Sequence, residues 1–438
     1  MSVIKKISFQ LLVQCLGIVT GFITSIIAAR ILGVEGRGMF SVFSTSLNFL
    51  IILLGFGINF SVLYYLSSNK LPTQRLYNSS ILICLLLTVF FLLIVLIEQL
   101  TGSNFFTEIS SVNEKFLMII LFSQNLFNGV FSSFLVGLKN IRSQQISSLI
   151  FYFFNAVLHG VFFVFVYKFP FYKTYFNFLV FYTIVVIISL LINFYFFQKC
   201  FRIRFSFTFL SKNEFKLLFA FAGFAYLANV FQYFNYKIDN YFLVNFCTLT
   251  DLGIYSLGFN LFKMLWVFPM AISTVLTPLQ SELKLEPATE NTLKVSRVFI
   301  FFAIPFILIF SPFVGYFINI FYGNEFYGSA EVLLLLFVIG FIPIAISNLL
   351  LSFFNSRGMA KYNFIYSVVT LLVGVVGNYF LVPQHGYYGV VLSNLISILI
   401  GFLFCLFTFK RLTNSLFLDV FIVRMSDLKL LFSRMKNL

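Results

Sequence analysis

Long apolar stretches separated by short polar segments follow one another along almost the whole chain. Each is at least as long as the roughly 20 helical residues that a hydrocarbon core of about 30 Å requires. Helices are the expected spanning elements, because a helix satisfies its own backbone hydrogen bonds in lipid. The pattern therefore predicts twelve transmembrane helices, at 7–32, 38–66, 78–98, 115–138, 145–167, 174–198, 216–246, 251–281, 295–321, 329–354, 361–382 and 387–409.

The composition agrees with a membrane protein. Of the 438 residues, 60% are hydrophobic and only 10% are charged, whereas a soluble protein averages about 25% charged residues. The net charge of +15 does not require a nucleic acid, because basic loops that face anionic lipid account for it. We predict an all-α integral membrane protein that contacts membrane lipids and binds no nucleic acid.

The basic residues alternate from loop to loop. The N-terminal segment, every second loop and the segment after residue 409 hold 22 of the 29 Lys and Arg residues, while the intervening loops hold five, Arg37 among them. Cytoplasmic loops carry the excess of Lys and Arg, so both termini are predicted to be cytoplasmic. Residues 411–438 alternate apolar and basic positions, which predicts a basic amphipathic helix on the cytoplasmic surface. A packing segment without function is the alternative.

Two short similarities indicate an internal repeat. "VEGRGMFSVFSTSLN" (34–48) aligns with "LTDLGIYSLGFNLFK" (249–263), and a looser match of 138–147 with 355–364 has a similar offset of about 215 residues. Halves of six spans insert with the same orientation, and such transporters bind substrate between the halves near the middle of the membrane. We predict two pseudo-symmetric six-helix lobes around a central cavity, divided as 1–205 and 206–410, with a tail at 411–438.

A few titratable side chains lie inside predicted spans. Lys263 lies about twelve residues from either end of its span, and a Lys at the bilayer centre costs about 2.5–3.5 kcal/mol on insertion scales. We predict that Lys263 binds substrate; a structural ion pair is the alternative. Lys237 and Asp239 flank one polar face of their helix, and an interfacial role is their alternative. His159 is either a titrating group or a buried polar contact.

Polar side chains also recur at helical spacing on several spans. Hydrogen bonding between helices is one explanation, worth about 0.6 kcal/mol for each bond. Because repeat-related spans share the feature, we favour a wet cavity. The predicted lining residues are Asn229, Gln232, Tyr233, Tyr236 and Asn240 in the seventh span, Asn260 in the eighth, Asn48 in the second and Tyr152 in the fifth.

Four stretches resemble one family of transporters. They are "ARILGVEGRGMFSVF", "IDNYFLVNFCTLTDLGIYSLGFNLFK", "FYGNEFYGSAEVLLLL" and "VGNYFLVPQHGYYGVVLSNLIS". In this order they are similar to the Wzx-type lipid-linked oligosaccharide flippases of the multidrug/oligosaccharidyl-lipid/polysaccharide exporter superfamily. The Pro that commonly follows the Leu-Gly pair in that family is replaced by Val34.

The resemblance implies alternating access across the bacterial inner (plasma) membrane. The implied substrate is an undecaprenyl-diphosphate-linked oligosaccharide, moved from the cytoplasmic to the periplasmic leaflet for O-antigen (lipopolysaccharide) or capsule synthesis. A polysaccharide polymerase and a chain-length regulator would be its partners. The family's cationic cavity would correspond to Lys263, Lys237 and Arg30.

The energy source and the alternative functions follow from what the sequence lacks. It has no Gly-x4-Gly-Lys-Ser/Thr phosphate-binding motif, so an H+ or Na+ gradient, or the downhill fate of the product, must drive transport. Asp239 is the candidate coupling residue, with His159 second; no other cofactor or metal is expected. One alternative is an ion-coupled drug or cation exporter of the same superfamily, whose cavity should be net negative. Another is a membrane polysaccharide polymerase, but no large outer loop or acidic cluster is visible, and we predict that the chain is not an enzyme.

Overall fold

The chain is α-helical throughout the part that the structure describes. The computed structural model describes residues 3–67, 70–101, 111–138, 140–281, 283–359, 361–413 and 416–422. Within these ranges it contains helices, short 3-10 and π turns and no β-strand. The chain separates into two compact units, unit 1 (Met1–Tyr233) and unit 2 (Phe234–Leu438). The all-α prediction is confirmed, whereas the repeat boundary at 205/206 stays a prediction.

Unit 1 is built from long helices joined by short connections. Its helices are α1 Val3–Gly55, α2 Ile58–Ser67, α3 Thr73–Thr101, α4 Val112–Gly137, α5 Ile141–Lys168, α6 Tyr175–Phe201 and the first part of α7 Lys212–Phe246.

Helix α1 bends sharply at Gly33, and it contains the first predicted span and most of the second. Gly33 has φ 67° and ψ −173°. The Arg37 guanidinium donates to Ser25 Oγ at 3.2 Å and to the Ser25 carbonyl at 3.4 Å. In a straight helix these two residues would be about 18 Å apart. The predicted loop at 33–37 is therefore wrong in extent, because one glycine makes the turn and Arg37 is a buried helical residue, 7% exposed.

Aromatic packing and polar anchoring hold unit 1 together. Tyr77 of α3 stacks on Phe197 of α6 at 5.2 Å between ring centroids. The segment between α6 and α7 is bound to α3, because the Asn78 amide donates to the Thr208 carbonyl at 2.8 Å. The helices thus share a packed interior, and the segment that leads into α7 is anchored to it.

Unit 2 contains the end of α7 and eight further helices. These are α8 Leu249–Leu265, α9 Val267–Ser281, α10 Leu285–Phe310, α11 Val314–Phe321, α12 Tyr327–Leu335, α13 Phe341–Ser356, α14 Lys361–His385 and α15 Tyr387–Thr413.

Helices α8 and α9 form one predicted span that is interrupted at Trp266. Pro269 has no N–H to donate to the Leu265 carbonyl, which explains why the helix breaks here. The Trp266 N–H instead donates to the Lys263 carbonyl at 3.1 Å. The break therefore falls three residues after Lys263, near the middle of the span.

The helices have the lengths and composition of a multi-pass membrane protein. Within the described chain, ten stretches are long and apolar enough to cross a membrane, and one of them, Leu12–Gly55, contains the bend at Gly33. Each of the twelve predicted spans corresponds to a helical segment.

The C-terminal tail is described only in part. Residues 411–413 complete α15, and a 3-10 turn at Phe417–Val420 follows. In that turn Val420 is buried, and Arg297 of α10 donates to the Asp419 carbonyl at 3.1 Å. This short part packs on unit 2. The remainder of the predicted amphipathic helix, 423–438, lies outside the described residues.

Candidate functional site

Asp239 of α7 is the centre of a polar cluster in unit 2. The Asn378 amide donates to one carboxylate oxygen at 2.8 Å. The Asn394 amide donates to the other oxygen at 2.7 Å, and the Tyr255 hydroxyl donates to that same atom. Because Asp239 is only 3% exposed, these bonds replace the water that burial removes. The cluster joins α7, α8, α14 and α15.

The amide of Asn378 has spare acceptor capacity. Asn378 is fully buried, and its Oδ1 atom has no hydrogen-bond partner in the described structure. An unsatisfied buried acceptor costs about 1–3 kcal/mol. A carboxylate beside an amide oxygen is a set of oxygen atoms that suits a small hard cation, and the carboxylate alone can take up a proton. These oxygen atoms are the ones that a proton or a small cation would use in this cluster.

Close packing of α14 against α15 positions the two asparagines. The chain turns between these helices at Gly386, with φ 57°. A Cβ atom on Gly377 would lie 2.5 Å from Ser393 Oγ, so only glycine allows this approach. Asn378 and Asn394 directly follow those two residues. The sequence analysis did not single them out, although each is an isolated amide in an apolar span.

Two half-buried lysines, Lys237 and Lys263, lie near this cluster. Lys237 has no ion pair with Asp239 within the described structure, as expected for side chains two residues and about 200° apart on a helix. The charge of Lys263 interacts with the charges of both Lys237 and Asp239. Two cations therefore share the region with one carboxylate that is already enclosed by neutral donors.

Aromatic rings and a helix end hold Lys263. Its ammonium lies 5.7 Å from the Phe259 ring centroid and 6.0 Å from the Trp266 ring centroid, within the range of cation–π attraction. Lys263 also lies in the last turn of α8, where the helix dipole favours a positive charge. These interactions stabilise the cation at its depth in the span.

The other predicted lining residues of the seventh and eighth spans are divided between the two units. Asn240 is buried and Asn260 is half-buried, both in unit 2. Tyr233 is buried in unit 1, and its hydroxyl donates to the Thr45 carbonyl at 2.6 Å. The side chains of three predicted residues lie outside the described part of the chain: Asn229, Gln232 and Tyr236.

The remaining predicted residues in unit 1 make contacts within that unit. Asn48 is exposed and donates to the Ser44 carbonyl at 2.6 Å, and Arg30 is also exposed. The Tyr152 ring packs against Gly17, where a Cβ atom would be 2.8 Å from it.

His159 is buried in unit 1. Its Nδ1 atom is 2.9 Å from the Asn155 carbonyl oxygen, and its ring meets the Phe181 ring edge-on at 4.9 Å. This environment matches the buried polar contact that was one of its two interpretations.

Comparison with known proteins identifies the family. The family model described as "Polysaccharide biosynthesis protein" matches residues 3–284. The chain belongs to this family. The match is consistent with the resemblance found in the sequence. No curated protein matches it in sequence.

Solved structures show which fold this polysaccharide biosynthesis protein has. Lipid II flippase MurJ in an inward closed conformation has a TM-score of 0.71 and 18% identity, covering 92% of this chain and 87% of that chain. An inward-facing multidrug resistance MATE family transporter of the MOP superfamily has a TM-score of 0.67 and 15% identity, covering 90% and 95%. The Vibrio cholerae MATE transporter VcmN in its bent form has a TM-score of 0.57 and 14% identity, covering 95% and 98%. The twelve-helix, two-lobe fold class is therefore confirmed.

Proposed function

We propose that this protein is a flippase for an undecaprenyl-diphosphate-linked oligosaccharide. It would move this substrate from the cytoplasmic to the periplasmic leaflet by alternating access, for O-antigen or capsule assembly. The observation that carries the proposal is that two half-buried lysines, Lys237 and Lys263, lie near the Asp239 cluster in unit 2. Membership of the polysaccharide biosynthesis family and the fold shared with a lipid II flippase support it.

A diphosphate needs the electrostatics that these lysines supply. Charged groups are costly in the hydrocarbon region, so an anionic headgroup crosses only where cations compensate it. Ammonium groups make short, charge-assisted hydrogen bonds to phosphate oxygens. The polyprenyl tail can remain in lipid while the headgroup and sugars cross through the protein.

The same side chains disfavour the alternative of a drug or cation exporter. The likeness to MATE transporters and the buried acid Asp239 are the observations in its favour. However, Asp239 is enclosed by Asn378, Asn394 and Tyr255, and two lysines lie nearby. A cationic drug would meet net positive charge there.

We place ion coupling at Asp239. Uptake of H+ or Na+ would change the charge at the point where α7, α8, α14 and α15 meet. Helix α8 carries both Tyr255, which binds Asp239, and Lys263, eight residues or about 12 Å further along. A rearrangement at Tyr255 would therefore move the helix that presents Lys263, which couples the two sites.

The setting of this function is the bacterial inner membrane. The alternation of basic loops supports a multi-pass topology with both termini in the cytoplasm. A polymerase and a chain-length regulator on the periplasmic side would use the translocated unit. Predicted roles for Arg30 and His159 remain secondary to those of the unit 2 residues.

Replacement of Lys263 tests this function. In a strain whose surface polysaccharide depends on this protein, Lys263→Ala should abolish the polysaccharide, because the headgroup loses a deep cation. Immunoblotting of membranes should show normal protein levels. Lys263→Arg should retain function, and Lys168→Ala, at an exposed helix end, is the matched control. Normal surface polysaccharide in Lys263→Ala would rule out the cationic site.

A further inference from the structure

Unit 2 carries a surface groove that is separate from the Asp239 cluster. It is a groove of about 630 Å³ formed by α11 and the 3-10 turn before it, by α12 and by the start of α15. Its lining includes Tyr316, Asn319, Tyr327, Glu331, Leu334 and Tyr388.

The charge of the groove is negative. Glu331 is the only charged residue among the eleven lining residues, all of which the structure describes. Its carboxylate accepts a hydrogen bond from the Tyr388 hydroxyl, which fixes the acid beside that ring. Lys and Arg are absent from this set of eleven, so a phosphate group would find no cationic partner in the groove. The lining therefore favours a cationic group over an anionic one.

Aromatic rings line the same groove as the carboxylate. Tyr316, Tyr327 and Tyr388 all line the groove, and all three are exposed. The face of an aromatic ring attracts an ammonium ion, and several rings around one position form an ammonium-binding cage. A carboxylate and tyrosine rings together match an ammonium headgroup.

The groove also changes from polar to apolar along its length. On α12, Tyr327 is the first residue and Glu331 lies about 6 Å further along the axis, whereas Leu334 and Leu335 lie deeper by another 4–6 Å or so. The polar end of the groove lies next to the turn between α11 and α12. The pattern of basic loops assigns this turn to the outer side of the membrane. A headgroup near Glu331 and an acyl chain along the leucines would follow the same gradient.

We propose that this groove binds an aminophospholipid of the outer leaflet. The primary ammonium of the headgroup would contact Glu331 between the tyrosine rings, and one acyl chain would pack on Leu334 and Leu335. This inference concerns a lipid ligand and does not depend on the proposed flippase activity.

Such a lipid would stabilise the packing of α12 against α8, the helix that carries Lys263. The Ser329 hydroxyl of α12 donates to the Ile254 carbonyl of α8 at 2.7 Å. A Cβ atom on Gly258 of α8 would lie 2.7 Å from the Ser329 carbonyl oxygen, so the two helices are in close contact. Binding to α12 should therefore raise the stability of unit 2, because the ligand binds only the folded protein.

The test compares lipids that differ only in headgroup. Purified full-length protein in detergent receives dioleoyl phosphatidylethanolamine or dioleoyl phosphatidylglycerol, and thermal unfolding is measured. We expect a higher Tm with phosphatidylethanolamine. Glu331→Gln should remove this difference and lower the retention of that lipid in native mass spectrometry about tenfold or more, because the charge-assisted bond is lost.

Glu325→Gln is the matched control, because Glu325 is exposed in the same outer turn but does not line the groove. It should keep the wild-type lipid preference. Equal stabilisation of the wild-type protein by both lipids would overturn the proposal and leave the tyrosines as an interfacial belt. An undiminished preference in Glu331→Gln would also overturn it.

Discussion

The two units use their buried charges in different ways. In unit 1, Lys115 pairs with Glu98 at 3.0 Å, with side chains 12% and 2% exposed, and Arg37 is bonded to Ser25 across the bend at Gly33. In unit 2, the carboxylate of Asp239 is enclosed by two amides and a phenol, and the positive charges of Lys237 and Lys263 lie near it.

This difference suggests which charges stabilise the fold and which are available to a ligand. A charge that is matched by a fixed neighbour in the same unit contributes to stability and offers little to a ligand. A pair of like charges opposes folding unless an anion joins them. We therefore assign the arrangement in unit 1 to the fold, and we propose that the two lysines of unit 2 serve an anionic substrate.

The largest effect that would sharpen this comparison is expected at Asp239. Asp239→Asn keeps the shape and part of the hydrogen bonding but removes the charge that we propose takes up a coupling ion. We expect ion-driven transport in proteoliposomes to fall to background while the protein remains folded. Asp251→Asn, the same change at a helix cap in unit 2, should transport normally. Wild-type ion dependence in Asp239→Asn would remove this residue from coupling.

A large loss of stability, without a loss of activity per folded molecule, is expected at Lys115. Lys115→Met leaves the buried Glu98 carboxylate without its cation, which costs about 3 kcal/mol for a buried pair. Denaturant unfolding should show this loss, and the double variant Glu98→Gln/Lys115→Met should recover most of it. If the single variant were stable but inactive, unit 1 would also hold a functional charge.

A smaller loss is expected at Arg37. Arg37→Ala removes the two hydrogen bonds to Ser25, and bonds to charged groups contribute about 1.5–3 kcal/mol. The free energy of unfolding should fall by about 2 kcal/mol, and Ser25→Ala should fall by less because the carbonyl bond remains. A stable Arg37→Ala protein that fails to transport would place Arg37 in the substrate path and blur the distinction between the units.

The spans could be predicted from sequence because bilayer thickness fixes their length. The prediction of a loop at 33–37 is wrong because a single glycine with positive φ turns the chain between two helical segments. A pattern of apolar residues cannot reveal a turn made by one residue. The depth of Lys263 was visible in the same way as the spans, from its distance to the helix ends. The assignment of Arg37 to a loop is wrong for the same reason, because Arg37 lies within helix α1.

The two amide partners of Asp239 could not be predicted. Asn378 and Asn394 lie 139 and 155 positions further along the chain, and they meet Asp239 only through the packing of the helices. Polar periodicity selects stripes, so isolated amides such as Asn378 and Asn394 gave no stripe to detect. Tyr233 illustrates the converse, since it belongs to a stripe but its hydroxyl bonds a carbonyl of α1.

The central claim is that Lys237 and Lys263 hold an anionic diphosphate headgroup. The most direct measurement is the affinity of the purified protein for an undecaprenyl-diphosphate-linked oligosaccharide at fixed salt, compared between wild type, Lys263→Ala and the control Lys168→Ala. Loss of a charge-assisted bond of about 1.5–3 kcal/mol should weaken binding roughly 10- to 150-fold in Lys263→Ala, with no change in the control. Wild-type affinity in Lys263→Ala would contradict the account.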